Sequence, residues 1–420
     1  MRTSTIQTPT AFFLASLLLL GCGPAEKPVP QDPIVLPPVV ECTSASGVSK
    51  GPWVLRVDGT SAVVRWEACR KGTTPGLSFT PEGGGDKLEV MSTETPFFVT
   101  ATYSAALDPT APLDQEGMFY MHDAVLTNLP AGTCHRYELA ADPKASGRFC
   151  TARPSGTTFR FLALADTNPG LNGITEKLLG QVVPQGFDFT VHAGDVQYYA
   201  SGLETWASWF PRMEPLLAQG AFLPAVGNHE LEKPEELDEY YKRFFGAAGF
   251  EGTDEYFRFE SGGIWFFSLD TELDLTLTSP QGVWLAKSLA DVAAKPGFRT
   301  SIVYFHKPWI TCGDKSEDTT ARSQFEPIFD MYGVRFVIQA HMHGYERFDL
   351  NGRTYITTGG GGGTLDDINA NIDRPTCAQR VVSGAFRHAV LFDVQDTALT
   401  GTVIDETGMT RDTFTIPLGP

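Results

Sequence analysis

Five apolar runs in the C-terminal two-thirds of the chain end in residues able to bind a metal. Phe161 to Ala165 ends at Asp166, Phe187 to Val191 leads to Asp195 and Tyr198, and Phe222 to Val226 leads to Asn228 and His229. Ile302 to Phe305 ends at His306, and Phe336 to Ile338 leads to His341 and His343. Carboxylate, phenolate, amide and imidazole groups are oxygen and nitrogen donors suited to iron, zinc or manganese. The runs read as strands, and in layered sheets the C-terminal strand ends converge on one edge, where ligands bind. A single Asp after a strand is commonly a turn former or helix cap, and a single His commonly a core residue. Here, however, four of the eight histidines follow such runs, so it is the set that points to a metal cluster.

The motifs Gly194-Asp195-x-x-Tyr198, Gly227-Asn228-His229-Glu230 and His341-x-His343-Gly344-Tyr345-Glu346-Arg347 resemble those of the calcineurin-like metallophosphoesterases, and more narrowly the purple acid phosphatases. Most metallophosphoesterases carry Asp-x-His at the first motif. Asp166-Thr167-Asn168 lacks that histidine, and Tyr198 is available to fill the place. The resemblance implies that Asp166, Asp195, Tyr198 and His343 hold one metal and that Asp195, Asn228, His306 and His341 hold a second, with Asp195 shared. It implies Fe(III) beside the hard, anionic phenolate, with Zn, Mn or Fe(II) as the other ion. The chemistry implied is phosphomonoester hydrolysis, in which two cations bind the phosphate oxygens and generate a metal-bound hydroxide at moderate pH. His229 matches a family histidine that contacts substrate and assists the leaving group as a catalytic residue.

Two positions depart from the family pattern. Further histidines often follow the one matching His306, where this chain has Lys307-Pro308-Trp309-Ile310-Thr311-Cys312, and Ala340 stands where a glycine is usual. The run Gly359 to Gly363 can be read as an anion cradle or as a flexible turn, and is kept outside the predicted site. His122, His135, His192 and His388 are read as structural.

Positioning these residues calls for an α+β architecture. Residues 154–420 alternate apolar strands with helical or loop stretches and are expected to form a four-layer αββα metallophosphoesterase domain with two mixed sheets. Residues 42–153 carry short apolar runs between turn residues, which predicts an all-β sandwich. The turn Leu129-Pro130-Ala131-Gly132-Thr133 resembles that before a fibronectin type III strand, with His135 where that family has its corner tyrosine.

Residues 1–21, with an apolar run from Ala11 to Leu20 ending in Leu19-Leu20-Gly21-Cys22, resemble a lipoprotein signal peptide. Export and a lipid on Cys22 are expected, anchoring the protein to a bacterial membrane at the outer membrane or cell surface, with the Pro-rich residues 22–41 as spacer. The other six cysteines form an even set in a compartment where disulfides persist. Fifteen pairings are possible. Cys134 and Cys150 flank the turn Asp142-Pro143-Lys144 and are expected to pair, while Cys42 with Cys69 and Cys312 with Cys377 follow by proximity. The formal charge of −18 disfavours nucleic-acid binding. The partners expected are therefore a phosphate ester substrate and the membrane. The rival readings are a phosphodiesterase acting on nucleotides or lipid head groups and a non-catalytic surface-binding lipoprotein.

Overall fold

Alternation along each strand sets the layers. In strand Phe159–Leu164, Phe161 and Ala163 enter an apolar cluster between two sheets, while Leu162 and Leu164 pack beneath helices Ile174–Val182 and Trp206–Leu217. The second sheet divides in the same way. Phe266, Ile302 and Phe336 face inward, and Phe267, Val303 and Val337 pack against helices Pro280–Ala293 and Thr319–Met331. Strands apolar on both faces need cover on both faces, and a helix with one apolar stripe covers only one. Helix, sheet, sheet, helix is the stacking that satisfies both.

The computed structural model describes residues 40–73, 75–100, 110–198, 205–233, 236–246 and 250–419. The leader, Cys22 and nearly all of the Pro-rich spacer lie outside the described residues. Among those described, no helix is long and apolar enough to cross a membrane. One sheet has ten strands and the other eight. In the first, strands Phe159–Leu164, Phe189–His192 and Ala221–Pro224 run parallel. In the second, Ile264–Ser268, Thr300–Tyr304, Val334–Gln339 and Arg353–Thr358 do so. Each of the five apolar runs that end in a candidate metal ligand is thus a strand whose C-terminal end lies beside that of a parallel neighbour.

The N-terminal strands form two packed sheets. Val48–Val57, Ala62–Ala68, Thr93–Val99 and Gly117–Leu126 bring Val54, Val64 and Trp66 against Leu77, Phe79, Tyr137 and Phe149 of a separate four-stranded sheet. His122 stacks on Trp66 and His135 on Phe149, both buried. Strand Val48–Val57 also pairs in parallel with strand Ala221–Pro224, at Val54 and Ala221, so the first sheet runs unbroken through both segments. The three disulfides are Cys42–Cys69, Cys134–Cys150 and Cys312–Cys377. Cys134 and Cys150 face each other across a hairpin.

A buried charge cluster adds a second tie between the segments. Glu67, wholly buried on strand Ala62–Ala68, accepts from Lys50 at 2.6 Å and lies 3.4 Å from the guanidinium of Arg243, which follows the His229 loop. Arg243 also covers the ring faces of Phe97, Phe119, Tyr240 and Phe244. Burial alone would raise the Glu67 pKa, but the two cations hold it below the usual range. Neutralising Glu67 would leave two buried cations uncompensated, which typically costs about 3 to 5 kcal/mol. Glu67→Gln should therefore lower the thermal midpoint markedly in calorimetry, and an unchanged midpoint would show that the cluster does not stabilise the junction.

Candidate metal centre

The strand tips turn sharply. Asp166, Asp195 and His341 all adopt left-handed backbone angles, three of the six described non-glycine residues that do so. Such a conformation costs about 1 to 3 kcal/mol per residue and persists where surrounding contacts impose it. Here the Asp166 N–H donates to the Gly194 carbonyl at 3.1 Å, the Thr167 N–H to the Asp195 carbonyl at 3.2 Å, and the His341 N–H to Asp166 Oδ2 at 3.1 Å. Gly194 and Gly227 permit the close approach: a Cβ on the first would lie 2.8 Å from the His306 ring, and on the second 2.3 Å from Asp195 Oδ1. Ala340 lies outside the left-handed region, so the alanine introduces no strain there.

The seven predicted ligand residues form two groups, joined where the His341 N–H meets Asp166 Oδ2. In one, His306 Nε2 lies 3.1 Å from Asn228 Oδ1, 3.1 Å from His341 Nδ1 and 3.0 Å from Asp195 Oδ2. The His306 Nδ1–H donates to the Ala193 carbonyl at 3.0 Å, which leaves Nε2 with its lone pair in the neutral ring. In the other, Tyr198 Oη lies 3.1 Å from Asp166 Oδ1 and 3.0 Å from His343 Nε2, while the His343 Nδ1–H donates to the Thr364 carbonyl at 2.6 Å. Asp195 Oδ2 is buried, with His306 Nε2 beside it. Oxygen and nitrogen donor atoms gathered this closely are what a cation satisfies once their protons leave, so these donor sets fit metal ions. Asp166, Asp195 and His306 are wholly buried, whereas Asn228, His229, His341 and His343 are partly exposed and mark the open side.

With no cation, protons take its place. Burial disfavours a charged His306, but the Asp195 and Asp166 carboxylates outweigh it and push the ring up to about 10. Burial likewise opposes a charged His343, and Asp166 pushes it up to about 9. His341 is lowered to about 4 by burial and by the neighbouring His306 charge. Burial and the nearby carboxylates raise Tyr198 well above the ordinary phenol value.

Glu230 is a positioning residue that the sequence reading did not single out. Its buried carboxylate accepts from the N–H groups of Gly227 at 2.6 Å, Val196 at 2.8 Å and Asp195 at 3.0 Å, clamping two ligand loops together. Its signal was its place directly after Asn228-His229. The glycine run is not an anion cradle at two of its amides, because the Gly361 and Gly363 N–H groups donate to the carbonyls of Ala165 and Asp166 at 3.0 and 3.1 Å. It packs instead against Asp166 and His343. His192 lies beneath the cluster at 3.1 Å from Thr167 Oγ1, and His388 is buried at 3.1 Å from the Phe386 carbonyl. On the His306 flank, Lys307 pairs with Glu272 at 2.6 Å, Trp309 is in the core and Cys312 is in a disulfide.

This fold and this donor cluster define a calcineurin-like phosphoesterase domain, and the profile of that family, "Calcineurin-like phosphoesterase", matches residues 159–345. Purple acid phosphatase 23 of Arabidopsis thaliana is 30% identical over 174 residues, which cover 37% of each chain. Purple acid phosphatase 22 of the same plant is 25% identical over 58% of each chain. The alignments thus span between about a third and three-fifths of these relatives' length. The fold is similar to that of a purple acid phosphatase from yellow lupin (Lupinus luteus) seeds, with a TM-score of 0.72 at 17% identity, covering 88% of this chain and 74% of that one. Residues 159–345 thus match the calcineurin-like phosphoesterase family, and the chain is similar to the purple acid phosphatases.

Two outcomes follow. At pH 7 both His306 and His343 are protonated in the metal-free protein, so a cation must displace both protons, and affinity should rise as pH rises toward 9. Calorimetric zinc titration in buffers of different ionisation enthalpy should report about two or more protons released, and release of none would contradict the proton-for-cation exchange. Glu230→Gln turns an N–H donor toward backbone donors and should weaken metal binding by about 10- to 100-fold. Undiminished affinity would show that the clamp is dispensable.

Proposed function

We propose that this protein hydrolyses phosphomonoesters at a dinuclear centre formed by Asp166, Tyr198 and His343 on one side and Asn228, His306 and His341 on the other, with Asp195 shared. The observation that carries this reading is the gathering of Asn228, His306 and His341 against the buried Asp195 carboxylate, beside a second group in which Tyr198 and His343 meet Asp166. Two cations there would neutralise the phosphate oxygens and make water a competent nucleophile at moderate pH. A tyrosine in the first group favours Fe(III) there, with Zn, Mn or Fe(II) in the second. Asp166 anchors the His341 backbone while its other oxygen faces Tyr198 and His343, so one carboxylate ties the two groups together. His229 stands at the open side, 3.7 Å from Asp195 Oδ2, where an imidazole can deliver a proton to the leaving oxygen.

The location forms part of the same proposal. A site on the outside of a bacterial membrane is supported by three disulfides, which fit an oxidising compartment, and by Leu19-Leu20-Gly21-Cys22, which fits lipidation. Phosphate scavenging from organic esters is the corresponding role.

Purified protein should contain two metal ions and show a broad visible absorption that Tyr198→Phe abolishes. It should turn over p-nitrophenyl phosphate faster than bis(p-nitrophenyl) phosphate. A preference for the diester would move the assignment to phosphodiesterase, and absence of metal would remove the enzymatic reading. Incorporation of labelled palmitate that is lost in Cys22→Ala checks the anchor.

A further inference from the structure

The eight histidines of the chain are all accounted for by position except one. His122 and His135 lie in the core of the N-terminal sheets, His192 and His388 beneath the catalytic cluster, and His306, His341 and His343 within it. His229 remains, half-buried at the open side, and the His306 flank offers no second imidazole because Lys307 is paired and Trp309 turned inward. If a side chain delivers a proton to the leaving group, the orientation of this ring decides where that proton goes.

Three contacts fix the ring. The His229 N–H donates to Asp195 Oδ1 at 2.9 Å, which sets the backbone against the shared carboxylate. The Tyr198 ring packs 4.1 Å away between centroids, which limits rotation on one face. The third contact sets the remaining freedom: Nδ1 meets Glu232 Oε1. Residues Asn228–Leu231 form a 3₁₀ turn, in which side chains three apart stand on one face, and Glu232 follows His229 by three. The Glu232 side chain is mostly buried, with only 10% of its surface exposed. An ionised carboxylate only accepts, so the Nδ1 atom must carry the hydrogen and Nε2 is the atom turned to the cleft, 3.7 Å from Asp195 Oδ2.

We infer that Glu232 is a positioning residue that fixes the tautomer and orientation of His229, so that Nε2 is the proton-delivering atom. This rests on the phosphomonoesterase reading above, within which it assigns a role to a side chain outside the predicted site. The cycle balances simply. The Nε2 proton passes to the leaving alkoxide oxygen as its bond to phosphorus breaks, and the proton released by the attacking water restores Nε2. The Nδ1 hydrogen stays on Glu232 throughout.

Leaving groups separate this role from a merely structural one. An alkyl phosphate such as glycerol 2-phosphate expels a strongly basic alkoxide and needs the proton, whereas p-nitrophenolate leaves almost unaided. With the metal-loaded enzyme, Glu232→Ala should lower kcat for glycerol 2-phosphate by about 10- to 100-fold and for p-nitrophenyl phosphate by less than about 3-fold. Glu232→Gln keeps an oxygen acceptor and should recover most of the loss, and adding Glu232→Ala to His229→Ala should cost nothing further. Equal losses on both substrates, or additive losses in the double variant, would overturn the proposal. A wild-type enzyme inactive on both esters would sink the underlying reading and the proposal together. An independent readout needs no turnover: ¹⁵N-histidine NMR of the metal-free protein should place the His229 hydrogen on Nδ1. A neutral ring with its hydrogen on Nε2 would overturn the assignment even in an active enzyme.

Discussion

The architecture of the catalytic half turns on one buried carboxylate. Asp195 has no exposed surface. An anion in that position is costly unless positive charge stands beside it. The structure answers with His306 on one side and His229 on the other, at 3.0 and 3.7 Å, and gathers a second carboxylate, Asp166, with Tyr198 and His343 close by. In the absence of metal, protonated imidazoles balance the cluster. With cations bound, the same rings become neutral donors. The site is thus built to exchange protons for metal, and burial that would destabilise an isolated aspartate makes the exchange favourable.

Holding that arrangement requires strain, and the strain is distributed through both sheets. Left-handed turns at Asp166, Asp195 and His341 aim three side chains back across the strand ends. Each turn is locked by hydrogen bonds to another tip rather than to its own strand, so no single loop determines the site. Glu230 does the same for the Gly194 and Gly227 loops. The N-terminal sheets contribute through the shared ten-stranded sheet and through Arg243, which joins the chain just beyond His229 to Glu67. The segment carrying the candidate acid is therefore anchored on a part of the protein that has no residue in the cluster.

Much of this was legible in the sequence because it depends on local pattern. Five apolar runs were strands, the seven ligand candidates met at the sheet edges, and the six cysteines paired as proximity and the hairpin suggested. Local pattern is silent where distant segments decide. Nothing in Val48 to Val57 says that Val54 will pair with Ala221, because a strand's partner is chosen by tertiary packing. The backbone angles of Asp166 and His341 are imposed by each other, and neither residue type requires them. Gly359 to Gly363 left an anion cradle and a flexible turn both open because its role lies in contacts with Ala165 and Asp166, nearly two hundred residues earlier. Glu230 and Glu232 act through partners that their neighbours in sequence do not name.

The central claim is that Asp195 sits between two metal ions. Anomalous diffraction from crystals of the metal-loaded protein, collected at the iron and zinc edges, addresses it directly. The account predicts two peaks flanking Asp195, one beside Tyr198 and His343 and the other beside His306 and His341. A single peak, or metal bound away from the Asp195 carboxylate, would contradict it.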